Sequence, residues 1–101
     1  MAKDNAIENA QKFCSIVKQS FDCKEVYLFG SFAKGTQTKD SDIDIAVVLN
    51  RAKNLLDKQL ELMRLRRSID IRIEPYPFLK EDFIPTNPIA FQILKHGKKL
   101  V

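Results

Sequence analysis

A chain of 101 residues that is 45% hydrophobic and 30% charged has the make-up of one folded domain, residues 1–101, and excludes a disordered or fibrous protein. Its 17 Lys and Arg against 13 Asp and Glu leave a net charge of +4, compatible with an anionic ligand but too small to mark a nucleic-acid binder. The longest apolar runs, such as Ile45 to Leu49, fall far short of the roughly 18 to 20 residues that span a bilayer, so no membrane partner is expected. Met1-Ala2-Lys3-Asp4-Asn5 lacks the apolar stretch of a signal peptide. Cys14 and Cys23 form no CxxC pair, and His96 is the one histidine. A Cys/His metal cluster is therefore not expected; two reduced thiols in or near a core, in a cytoplasmic protein, are.

Apolar residues at Ala6, Ile7, Ala10, Phe13, Cys14, Val17 and Phe21 predict a helix from Asn5 to about Ser20, with Asp4 or Asn5 as its cap. Glu25 to Phe29 predicts a buried strand ending at Gly30. Gly30 to Gly35 predicts a short helix, and a second strand runs from about Asp42 to Leu49. The run from Ala52 to about Arg67 has no Gly or Pro and predicts a helix, its last turn carrying Arg64, Arg66 and Arg67 at the negative end of the dipole. Ile69-Asp70-Ile71-Arg72-Ile73-Glu74 alternates with period two and predicts a third strand, stopped by Pro75 and Pro77. Asn87-Pro88 predicts a cap and first turn of a last helix that ends at Gly97, and Lys98 to Val101 a short edge strand blunted by lysines. The expected fold is α/β (α+β), a small mixed sheet of three to four strands flanked by helices.

Chemistry concentrates at three places. Asp42 and Asp44 are two apart on a strand, so both carboxylates project from one face while Ile43 and Ile45 enter the core. Like charges this close favour a cation between them, and hard oxygen ligands suit Mg²⁺. Asp70, on the face of its strand opposite Ile69, Ile71 and Ile73, is expected to converge with them. Three such carboxylates meet the need of a two-metal phosphoryl-transfer site. Gly30 permits close approach of backbone to ligand, and Ser31 opens a helix whose free amides suit phosphate. Lys34 and Lys39 flank this region as candidate nucleotide contacts. Taken singly, each of these features is better explained as solvated charges or an ordinary turn. Their joint occurrence with matching strand phases argues against that.

Gly30-Ser31-Phe32-Ala33-Lys34-Gly35 followed by Ser41-Asp42-Ile43-Asp44 resembles the GS-x-A-x-G and SD-x-D signature of the DNA polymerase β nucleotidyltransferase superfamily. The size is similar to that of its smallest members, the minimal nucleotidyltransferases (MNT proteins). The likeness is strong from Val26 to Ile73 and weaker from Asn87 to Val101. It implies a polymerase β-like nucleotidyltransferase fold, Gly30 and Ser31 at the triphosphate of ATP or another NTP, and Asp42 and Asp44 on Mg²⁺, with two ions. It further implies Asp70 as third metal ligand and as general base for an acceptor hydroxyl. The expected reaction moves a nucleoside monophosphate, AMP from ATP, onto a hydroxyl. Little protein is left to hold an acceptor, so another protein is expected to supply it. The resemblance points to a small helical HEPN-family partner and an antitoxin role. A homodimer or hetero-oligomer would also bury apolar surface of so small a core. Two alternatives are a non-catalytic nucleotide-binding or neutralising subunit and an aminoglycoside-type adenylyltransferase.

Overall fold

The computed structural model describes residues 5–101. Helix α1 spans Ala6–Ser20 and buries Ala6, Ala10, Phe13, Cys14 and Val17, one stripe at helical spacing. Asn5 stands at its N-cap without a side-chain cap bond, and Asp4 lies outside the described residues. Phe21 leaves the helix in extended conformation. Strand β1, Cys23–Phe29, leads through Gly30 into the single turn of α2, Ser31–Lys34, which closes at Gly35 with φ 76°. That left-handed conformation is one in which glycine carries no steric cost.

Strand β2, Ile43–Leu49, returns antiparallel to β1. Helix α3, Leu55–Arg66, is capped by Asn54, whose side chain accepts from the amides of Leu56 and Asp57, satisfying two of the free donors of a first turn. It carries the chain to β3, Ile73–Leu79, which lies parallel to β2, as a helical crossover permits. A 3-10 turn at Lys80–Asp82 precedes α4, Pro88–His96. There Asn87 caps the amides of Ile89 and Ala90, with proline in the first turn. The two-residue β4, Lys98–Lys99, pairs antiparallel with β1. The sheet order is β3-β2-β1-β4, a mixed four-stranded sheet.

One strand departs from expectation. Ile69 to Arg72 form a turn, with Ile71 73% exposed, and the strand begins at Ile73 and runs through both prolines. Parity explains why proline is tolerated. The Ile73 amide bonds to Asp70 O within the turn at 3.1 Å, while the Ile43 amide takes Arg72 O at 2.9 Å. Amides at 73, 75 and 77 therefore face away from β2, and at the open side of an edge strand proline removes no ladder bond.

Helices cover both sheet faces. Ile43, Ile45, Val47, Val26, Leu28 and Ile73 pack against Phe13, Val17 and Leu62 of α1 and α3. On the reverse face Tyr27, Ala46 and Val48 meet Phe83, Ala90 and Ile93, with Phe29 and Phe78 at the margin. Each fully buried side chain of this kind stabilises by about 1.5–3 kcal/mol, so the fuller first core carries most of the stability. Cys14 and Cys23 are buried and free. Among the described residues no helix is long and apolar enough to cross a membrane.

Candidate active site

The antiparallel turn from β1 to β2 and the parallel placement of β3 bring three chain segments to one end of the sheet. Register sets Phe29 beside Asp44 and Asp44 beside Glu74. Asp44 lies between Ile43 and Ile45, both fully buried, so the pleat that anchors those two turns the carboxylate onto the opposite face. Asp42 precedes the strand and is exposed. Glu74 and Tyr76, two apart on β3, share the face of Asp44. The Tyr76 ring meets Phe29 edge-on at 5.2 Å, and its hydroxyl lies near enough to the Asp44 carboxylate to favour the ionised acid.

Burial pushes the Asp44 carboxyl above its usual range; Asp42 and then Glu74 push it further, against a smaller lowering by the nearby Tyr76 hydroxyl. Burial and the same three carboxylates raise Tyr76. The anions repel one another where solvent is partly excluded. Glu74 is held from the other side by Arg66, whose Nη1 donates to its Oε1 at 3.0 Å and to Ile73 O at 2.9 Å.

Gly30 backs this cluster. Its φ is +73°, and a Cβ there would overlap the Asp44 carboxylate. Absence of a side chain lets the Gly30-Ser31 turn lie directly on the acid. Ser31 opens α2 and Lys34 closes it. Lys34, Gly30 and Phe29 share a cavity of about 120 Å³ with Ile89, Gln92, Ile93 and His96 of α4. Lys39 is exposed in the loop that follows.

Asp70 does not join Asp42 and Asp44. In its turn before β3, Oδ1 accepts from the Arg72 amide at 2.9 Å and from Arg72 Nε at 3.1 Å. Oδ2 accepts from Arg72 Nη2 at 2.8 Å and from Asn9 Nδ2 at 3.0 Å. These bonds, those of Arg72 foremost, hold its pKa down to about 2. A carboxylate whose two oxygens accept four bonds is committed to joining α1 to the α3–β3 turn. The expectation that Asp70 converges with Asp42 and Asp44 from a strand is corrected: the strand starts at Ile73, and the acid beside Asp44 is Glu74. Period-two alternation already placed Glu74 on the same face as Asp70, but the prolines concealed that the strand continues past it. Tyr76 was hidden for the same reason.

Among the described residues, no three His, Cys, Asp or Glu side chains are grouped to enclose a metal ion by themselves. Mg²⁺ asks for less, because it is commonly held by one or two carboxylates with substrate phosphates and water. The Asp42–Asp44 pair, hard oxygens whose mutual charge raises the buried member, fits that demand. A roomier hollow of about 510 Å³, lined by Phe21, Leu49, Ala52 and Lys58 among others, lies at the opposite end of the sheet. Its acid, Asp22, is engaged by Arg51 and Asn50; the chemistry sits at the carboxylate end.

Known proteins share parts of this sequence and fold. A candidate protein adenylyltransferase of Methanocaldococcus jannaschii, MJ1379, is 48% identical over 40 residues, a match spanning 40% of this chain and 40% of that protein. A crystal structure of a toxin–antitoxin with AMP-PNP superposes with TM-score 0.70 at 24% identity, covering 92% of this chain and 72% of that one. The complex of a tri-AMPylated Shewanella oneidensis HEPN toxin with an MNT antitoxin does so with TM-score 0.66 at 21% identity, covering 95% and 71%. The sequence pattern of the nucleotidyltransferase domain matches residues 10–100, and with the Gly-Ser turn resting on Asp44 at the end of a mixed sheet, the chain belongs to the nucleotidyltransferase domain family.

Proposed function

We propose that this protein transfers AMP from ATP to a hydroxyl of a partner protein, with Mg²⁺ held by Asp42 and Asp44. The observation that carries the reading is Asp44, flanked by Asp42 and Glu74, its pKa raised by burial and by both, and pressed against Gly30. Gly30, Ser31 and Lys34 bind and orient the triphosphate. Mg²⁺ supplies charge neutralisation on the phosphate oxygens. Glu74 takes the proton of the acceptor hydroxyl, its carboxylate kept in place by Arg66. The hydroxyl oxygen bonds to the α-phosphorus as the bond to pyrophosphate breaks, and catalysis rests on positioning and electrostatics.

A partner of the small helical HEPN class is supported by the fold shared with the MNT antitoxin solved with an AMPylated HEPN toxin. Support for adenylyl transfer to protein comes from the 40-residue likeness to the M. jannaschii protein.

The test is purified chain with α-labelled ATP, Mg²⁺ and a HEPN partner, beside Asp44→Asn. Label should appear on the partner with the wild type and not with the variant, whose circular dichroism should be unchanged. Undiminished labelling by Asp44→Asn refutes the metal assignment. Nucleotide binding without transfer returns the protein to a non-catalytic binding subunit, and label on an aminoglycoside instead identifies a small-molecule enzyme.

A further inference from the structure

We infer that the cavity between α2 and α4 seats the nucleobase, and that Gln92 reads its edge; the inference rests on the nucleotide-transfer reading above. Ile89, Gln92, Ile93 and His96 follow the 3, 4, 7 spacing of one helix face, and this face of α4 looks across the cavity to Phe29, Gly30 and Lys34. Gly30 both lies against Asp44 and lines this cavity. A nucleotide whose phosphates lie at the Gly-Ser turn therefore has its next available recess here.

The volume, about 120 Å³, is below the roughly 300–1,000 Å³ that encloses a drug-sized ligand, so the cavity takes one moiety of a nucleotide. Its walls choose which one. Phe29, Ile89 and Ile93 give it apolar surface from which a flat heteroaromatic ring gains, while Lys34 and His96 are its basic members, Lys34 being the one already assigned to the triphosphate. Gln92 adds one donor and one acceptor. That pair matches adenine, which offers a donor and an acceptor side by side, as in glutamine–adenine pairing in nucleic-acid recognition. Guanine's Watson–Crick edge offers adjacent donors, which a carboxylate accepts and an amide meets less well.

Gln92 is exposed, and Glu and Leu are good helix formers, so Gln92→Glu and Gln92→Leu are expected to fold. Binding of ATP, GTP and tripolyphosphate is measured by calorimetry with Mg²⁺ for all three proteins. We expect the wild type to prefer ATP. Gln92→Leu should lose that preference, and Gln92→Glu should shift the ATP-to-GTP affinity ratio toward GTP by about 5- to 150-fold, with tripolyphosphate unaffected. An unchanged ratio in both variants overturns the inference while leaving nucleotide transfer standing. Equal weakening of all three ligands overturns it too, because the cavity then serves phosphate. A wild type that binds no nucleoside triphosphate removes both readings.

Discussion

Replacing Asp70 by Asn separates a brace from a ligand. The carboxylate is 9% exposed and paired with Arg72, and its pKa falls from 3.8 to about 2. At 1.36 kcal/mol per pKa unit, the ionised form contributes up to about 2 kcal/mol to folding. A depressed acid stabilises above its unfolded pKa and loses that contribution as pH falls through its folded value. Urea unfolding at neutral pH should thus find Asp70→Asn less stable by about 2 kcal/mol, with an unchanged dependence on denaturant. The gap should hold down to about pH 4 and close as pH approaches 2. Labelling of the partner by ATP should survive in folded variant protein. The reasoning fails if Asp70→Asn is as stable as wild type at pH 7 but has lost nucleotide binding or transfer. Asp70 would then belong to the site.

Three further outcomes are expected. Gly30→Ala places a methyl on the Asp44 carboxylate at a φ of +73° and should cost about 1–3 kcal/mol and most nucleotide affinity; wild-type binding in a calorimetric titration would contradict the close approach. Asn87→Ala removes the cap on the Ile89 and Ala90 amides and should lower stability by about 1 kcal/mol in urea melts; an unchanged midpoint would show that the cap contributes nothing. Burial raises the Cys14 thiol to about 11, and thiolate is the reactive form. At pH 8 iodoacetamide should therefore modify Cys14 in urea and spare it in the folded protein, as read by mass spectrometry; rapid native modification would place Cys14 at the surface.

What could be read in advance, and what could not, divides along physical lines. The α1 stripe, the Asn87-Pro88 start of α4 and the Asp42–Asp44 pair depend on spacing within one element, and local periodicity carries that information. The third carboxylate depends on where a strand begins and which neighbour it meets. The alternating run from Ile69 to Glu74 carries strand periodicity, yet Asp70 and Arg72 lock their own segment into a turn, and that local competition shifted the strand onto a stretch containing two prolines. Proline excludes a strand position only where its nitrogen would face a partner, and sequence does not state which side of β3 is vacant. The Arg66 contact to Glu74 required the packing of α3 against β3.

Those two prolines have a consequence for assembly. An uncovered margin of sheet ordinarily offers a foreign strand a template of amides and carbonyls. Along β3 the outward nitrogens at Pro75 and Pro77 have no hydrogen to give, and across the sheet the margin is two lysines long. Extension by backbone pairing is discouraged on both flanks, which protects the protein from self-templated aggregation. A companion chain is then expected to dock through side chains rather than by adding a strand.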